Sequence, residues 1–226
     1  MKVATVYTGT TPELIEKVEF ELNSQFAGEN LEIIFLKNPD IIKKAGEAGG
    51  VTPHCARELL ILYQEAVKAG AEIILNMCSS VGDVAALAKP LYETCGVSFV
   101  RIDEDMARAA VKAGKRIGVV ATLRTTLEPT KRLLQSCADE AGIRVELVDA
   151  MAEGTYGLDQ EQFKKKLIET GAKVKDKVDV LLFAQGSMAY ADKAVSEALG
   201  MPVFSSPAYG ARAVKAVADK RKNSRV

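Results

Sequence analysis

The chain has 226 residues, 48% of them apolar, and its thirty basic residues balance thirty acidic ones. That length makes one large domain or two small lobes, and the charge balance argues against a nucleic-acid binder, which carries a clear basic excess. The one local exception, the basic run at residues 220–225, reads as a solvated tail.

No apolar run reaches the length of a membrane span. The N-terminus enters a strand-like segment directly, so no signal peptide is expected. The four cysteines, Cys55, Cys78, Cys95 and Cys137, form no CxxC pair, and there is one histidine. This argues against a structural zinc site and points to a cytosolic protein with reduced thiols.

In chain order, strands are expected at residues 2–8, 31–36, 72–77, 97–101, 116–121, 144–148, 180–184 and 202–205. Helices are expected at 12–23, 53–68, 81–94, 126–141, 160–170, 188–199 and 207–220, with a crossover helix at 103–114. The strands are nearly continuous in apolar residues, as when helices cover both faces of a sheet. Strict alternation of strand and helix predicts an α/β protein with parallel sheets and right-handed crossovers. The glycine-rich residues 46–50 read as a flexible loop able to close over a site. His54 and Cys55, adjacent and so pointing different ways, read as a helix start. Cys95 and Cys137 read as packing residues.

The sequence repeats once. KVATVYTGTTPE, from Lys2 to Glu13, parallels RIGVVATLRTTLE, from Arg116 to Glu128. EIILNMCSS, from Glu72 to Ser80, parallels DVLLFAQGS, from Asp179 to Ser187. Such a period suits two pseudo-symmetric lobes, the first at residues 1–99 plus 207–226 and the second at 100–206. Thr10 with Glu13, and Thr125 with Glu128, fit capping boxes, and Ser80 with Asp83 fits a similar cap.

Ligands of open parallel sheets bind beyond the carboxyl ends of the strands. Here those ends carry Thr8, Thr10 and Thr11; Ser79 and Ser80; Thr122, Thr125 and Thr126; and Ser187. Each group sits at a helix start, where free N–H groups and the dipole favour an anion. Converging turns of this kind would hold a carboxylate or enolate; the plainer alternative is that each hydroxyl caps its own helix. Cys78 shares the location. A helix N-terminus lowers a thiol from its reference pKa near ~8.5 by something under one unit, since the dipole supplies about 1 kcal/mol. Cys78 is therefore the candidate base or nucleophile, against the alternative of an inert buried cysteine. Neither GxGxxG nor GxxxxGKS/T occurs, so no nucleotide cofactor is expected.

The duplicated lobes, MCSS, IGVVATLRTT and FAQGSMA, in this order over nearly the whole chain, resemble the Asp/Glu/hydantoin racemase superfamily. The resemblance implies two four-stranded parallel α/β lobes flanked by helices, with the active site in the interlobe cleft. It also implies cofactor-independent chemistry in which one cysteine from each lobe faces the substrate α-carbon from opposite sides. Cys78 matches the first cysteine. The second falls at Gln185, or at Gly186 after a one-residue slip, and neither transfers a proton as a thiol does. Arylmalonate decarboxylase, a related family, also works with one cysteine, placed in the other lobe. The expected function is therefore an isomerase or racemase, or a decarboxylase, acting on a small carboxylate. Cys78 would be its acid/base, with Thr8, Thr10, Ser79, Ser80, Thr122, Gln185, Gly186 and Ser187 binding substrate oxygens. The alternatives are covalent catalysis by Cys78, as in a hydrolase or a cis–trans isomerase, and a non-catalytic carboxylate-binding protein. Tyr7, Tyr156, Met188, Tyr190 and Tyr209 bear on the polarity of the cleft. No metal, nucleic-acid or membrane partner is expected, and a homodimer is the commonest assembly for a cytosolic enzyme.

Overall fold

A computed structural model describes residues 1–223. The elements run β1 (Lys2–Tyr7), α1 (Pro12–Gln25), β2 (Glu32–Lys37), α2 (Pro39–Glu47), α3 (Pro53–Lys68), β3 (Ile73–Asn76), α4 (Gly82–Thr94), β4 (Ser98–Arg101) and α5 (Glu104–Ala113). They continue with β5 (Arg116–Ala121), α6 (Arg124–Ala141), β6 (Glu146–Met151), α7 (Gln160–Ala172), β7 (Val180–Phe183), α8 (Asp192–Leu199), β8 (Val203–Phe204) and α9 (Ser206–Asn223). Short 3-10 turns follow β3 at Ser79–Val81 and β7 at Gly186–Ala191.

The chain divides into two compact units. One is Met1–Asp103 together with the segment from Pro207, and the other is Glu104–Ser206. Each holds a four-stranded, all-parallel sheet, ordered β2-β1-β3-β4 in the first unit and β6-β5-β7-β8 in the second. The order reverses between β1 and β3, and again between β5 and β7. A crevice opens at the carboxyl end of such a switch, so the loops after these four strands are the natural binding positions.

Period-two side-chain alternation sorts the first sheet's core onto two faces. Ala4, Val6, Ile74 and Phe99 pack with Leu59 and Tyr63 of α3 and Ala85 and Tyr92 of α4. Val3, Tyr7, Ile73 and Leu75 pack with Leu14, Val18 and Leu22 of α1 and Val214 and Ala218 of α9. In the second sheet, Val120, Leu181 and Phe183 pack with Leu167 of α7 and Val195 and Leu199 of α8, while α5 and α6 pack on each other. Among the described residues, no helix is long and apolar enough to cross a membrane.

Several local expectations need correction. The loop expected at residues 46–50 begins two residues late: Gly46 and Glu47 end α2, which Asn38 caps by accepting from the Asp40 N–H, and residues 48–50 form a turn. The α1 cap is Thr11, not Thr10, because Pro12 takes the first helical position, where its missing N–H costs nothing. α6 starts from Leu123 with no side-chain cap, so Thr125 lies inside the helix. Ser80 lies inside a 3-10 turn, and Val81 rather than Ser80 immediately precedes α4. β6 begins two residues later than expected and reaches Met151. Cys137 is buried, but Cys95 is exposed at the end of α4 and is no packing residue. Residues 220–222 continue α9 rather than trailing as a tail: Arg221 donates to the Gly96 carbonyl and Ser98 Oγ, and Lys222 pairs with Glu29. Asn223 ends α9, and the last two residues of that run, 224–225, lie outside the described residues.

Candidate active site

In the first unit the switch-point loops bring Thr8 and Cys78 together. Cys78 follows β3 after one residue, Met77, and starts the 3-10 turn in extended backbone conformation, φ −119° and ψ 116°. It is partly buried, while Ser79 and Ser80 are 7% and 5% exposed. Burial pushes the Cys78 thiol above its ordinary value. The Thr8 hydroxyl, the backbone N–H groups of Val81 and Ser80, and the Ser80 hydroxyl act in the opposite direction without cancelling it. The expectation of a lowered pKa therefore fails in sign: four donors surround the sulfur, but loss of water outweighs them. Thr8 Oγ1 is fully buried and, apart from the Cys78 sulfur, has no hydrogen-bond partner among the described residues. Thr10 Oγ1 donates to the Thr11 carbonyl at 3.1 Å.

Behind the thiol lies a polar layer that the sequence reading missed. Asn76, the last residue of β3, donates from Nδ2 to the Cys78 carbonyl at 3.1 Å and accepts from Tyr63 Oη at 2.9 Å. Beside it on β4, Arg101 makes a bidentate pair with Asp103, Nε to Oδ1 at 3.1 Å and Nη2 to Oδ2 at 3.2 Å. The side chains of this pair are 5% and 1% exposed. The Arg101 guanidinium lies against Gly82 at the start of α4, where a Cβ would sit 2.4 Å from Nη2, so only glycine fits. An asparagine inside an otherwise apolar strand, and an arginine ending another, were the available signals.

In the second unit the equivalent loops bring Thr122 and Gln185 together, but to each other's benefit. The Thr122 backbone N–H donates to Gln185 Oε1 at 2.8 Å, and Gln185 Nε2 donates to Thr122 Oγ1 at 2.6 Å. Gly186 and Ser187 lie half-buried in the 3-10 turn that Gln185 starts at φ −123° and ψ 130°. Of the aromatic and methionine candidates, Tyr7 and Met188 are buried in the cores and Tyr156 is fully exposed. Tyr190 packs on Phe163, and Tyr209 stacks under Arg212. His54 is exposed and contacts Lys44 at 2.8 Å, whereas Cys55 is buried under the Thr52 cap. Among the described residues, no group of three or more His, Cys, Asp or Glu side chains is placed to hold a metal ion.

Two parallel four-stranded units carrying polar groups at their switch points define a duplicated α/β architecture of the racemase type. The sequence matches the Asp/Glu/hydantoin racemase family over residues 4–214, and the chain belongs to that family. Solved structures share its fold. Glutamate racemase isoform RacE1 from Bacillus anthracis has a TM-score of 0.73 at 15% identity, covering 97% of this chain and 82% of its own. The aspartate racemase of Picrophilus torridus has a TM-score of 0.69 at 14% identity, covering 97% and 95%. Unliganded arylmalonate decarboxylase has a TM-score of 0.56 at 17% identity, covering 93% and 89%. Among curated proteins no match is found.

Proposed function

We propose that the protein transfers a proton at the carbon next to a small substrate's carboxylate, with Cys78 as the acid/base and no second thiol. The observation that carries this reading is the Cys78 sulfur at the β3 switch point, among the donors of Thr8, Ser80 and Val81, with Gln185 at the matching position of the repeat. In the exchange direction the thiolate takes the α-proton, leaving an enolate and a neutral thiol, and the reverse step returns the proton to the same face. The enolate's charge calls for fixed donors. Thr8, Thr10, Ser79, Ser80, Thr122, Gln185, Gly186 and Ser187 enter the proposal as the oxygen-binding set. Thr8 has the strongest claim, because its buried hydroxyl has no partner other than the sulfur.

One observation favours a second reading, decarboxylation. A thiol pushed up by burial is protonated at rest, which is the form needed to quench an enolate left by loss of carbon dioxide. That step leaves a thiolate, which solvent reprotonates. The fold shared with arylmalonate decarboxylase is compatible with this reading.

The test is incubation with α-amino acids, hydantoins and substituted malonates in deuterated water. Expected is deuterium at the α-carbon with retained configuration, or release of carbon dioxide with one-handed product. Cys78→Ala should cut the rate by about 10²–10⁴, the usual worth of a positioned acid/base. Turnover that survives Cys78→Ala, or racemisation by the unaltered chain, would overturn the reading.

A further inference from the structure

We propose that Asn76, oriented by Tyr63, is a positioning residue that fixes the Cys78–Ser79 peptide and thereby sets the reactivity of the Cys78 thiol. The inference rests on the role given to Cys78 above.

All four residues of β3 are buried. An asparagine there is costly unless its amide is matched, and both ends of the Asn76 amide are matched. The Cys78 carbonyl can only accept, so the amide nitrogen must face it; the Tyr63 hydroxyl must then give its proton to Oδ1. The chain of bonds runs one way, from Tyr63 through Asn76 to the Cys78 carbonyl. Tyr63 is itself immobile, wholly buried and edge-on against Tyr92 and Phe99. In a planar trans peptide the N–H points opposite to the C=O. Drawing the Cys78 carbonyl towards Asn76 therefore turns the Ser79 N–H the other way. It also fixes the start of the turn whose next two N–H groups address the sulfur.

The internal repeat supplies a control. Strand register pairs Asn76 with Val6 and Phe183 with Val120, the counterpart of Val6 in the repeat, so Phe183 stands where the first unit has Asn76. Gln185 nevertheless adopts nearly the backbone angles of Cys78, so folding this turn does not require a buried amide. In the second unit the Gln185 side chain holds its own turn by clasping Thr122. A thiol hydrogen-bonds weakly and cannot hold a turn in that way. The first unit takes its hold from below, through Asn76, and leaves the sulfur available. The titratable groups felt at Tyr63 are Cys78, Arg101 and Tyr92, so neutral replacements are the right probes.

The experiment uses the full chain with Asn76→Leu and, separately, Tyr63→Phe. The rate of Cys78 alkylation by iodoacetamide is followed across pH by peptide mass spectrometry, with exposed Cys95 as internal reference. Asn76→Leu is expected to change the Cys78 rate by about tenfold and to move the midpoint of its pH profile, with Cys95 unchanged. Tyr63→Phe should shift both in the same sense by less. Should Asn76→Leu fail to fold, the milder variant decides alone. A purely structural role would lower the unfolding midpoint and leave the Cys78 profile where it was, and that result overturns the inference. The measurement reads the thiol without any substrate. Failure of the proposed function would appear elsewhere, as turnover that survives Cys78→Ala.

Discussion

At the scale of single residues, the second half of the repeat is informative through what Gln185 cannot do. A carboxamide neither gives nor takes a proton near neutral pH, and here both its polar atoms are committed to Thr122. Family resemblance puts the second proton-transfer group at this position. Restoring a thiol there, Gln185→Cys, is expected to convert retained configuration into racemisation, read by chiral chromatography after exchange in deuterated water. Continued retention would mean that position 185 does not serve the reaction. The Thr122 N–H, relieved of its clasp, would gain freedom to bind a ligand oxygen.

At the scale of elements, the β4–α4 junction concentrates the cost of burying charge. Arg101 and Asp103 satisfy each other bidentately in a nearly water-free setting, and Gly82 makes room for the guanidinium. Removing one member of such a pair leaves the other charge buried and alone, at about 3–5 kcal/mol; an apolar pair of similar volume is often neutral or better. Arg101→Met should therefore lower the urea midpoint sharply, and Arg101→Met with Asp103→Leu should recover most of the loss. Equal losses in the single and double variants would show that the pair is not coupled. The element order was legible in the sequence because buried parallel strands read as nearly unbroken apolar runs such as IILNM and VLLF. The exception was α2. Its apolar face rests on little more than Ile41 and Ala45, and its glycine-rich end hid the Asn38–Pro39 start signal. Caps were misread where two threonines adjoin, since Pro12 rather than residue type decides between Thr10 and Thr11. The Tyr63–Asn76 and Arg101–Gly82 contacts are tertiary and follow from no local spacing. The raised thiol was missed for the same reason: helix dipoles can be inferred from sequence, but loss of solvent requires knowing what packs around the sulfur.

At the scale of the whole molecule, buried acids of high pKa tie stability to alkaline pH. Burial raises Tyr7 and Cys78, and raises Tyr63 well above its ordinary value. The folded chain therefore holds protons that the unfolded chain has released above about pH 8.5 for the thiol and about pH 10 for the phenols. Stability from these groups is complete below that range and falls as pH rises through the folded-state values. Urea midpoints should be flat near neutrality and decline above about pH 9. Tyr7→Phe should flatten part of the decline; an unchanged slope in that variant would exclude Tyr7 as a contributor.

α9 has a consequence for biogenesis. It supplies Ala211, Val214 and Ala218 to the core around β1 and β3, and Arg221 and Lys222 stitch it to Gly96, Ser98 and Glu29. The first unit to emerge from the ribosome is thus the last to be finished. Residues made early must wait, one apolar flank uncovered, while the contiguous stretch from Glu104 to Ser206 can close on its own. For that interval the half bearing Cys78 has its four strands but not the helix that completes one face, a stage at which nascent chains are open to chaperones or to mispairing with one another.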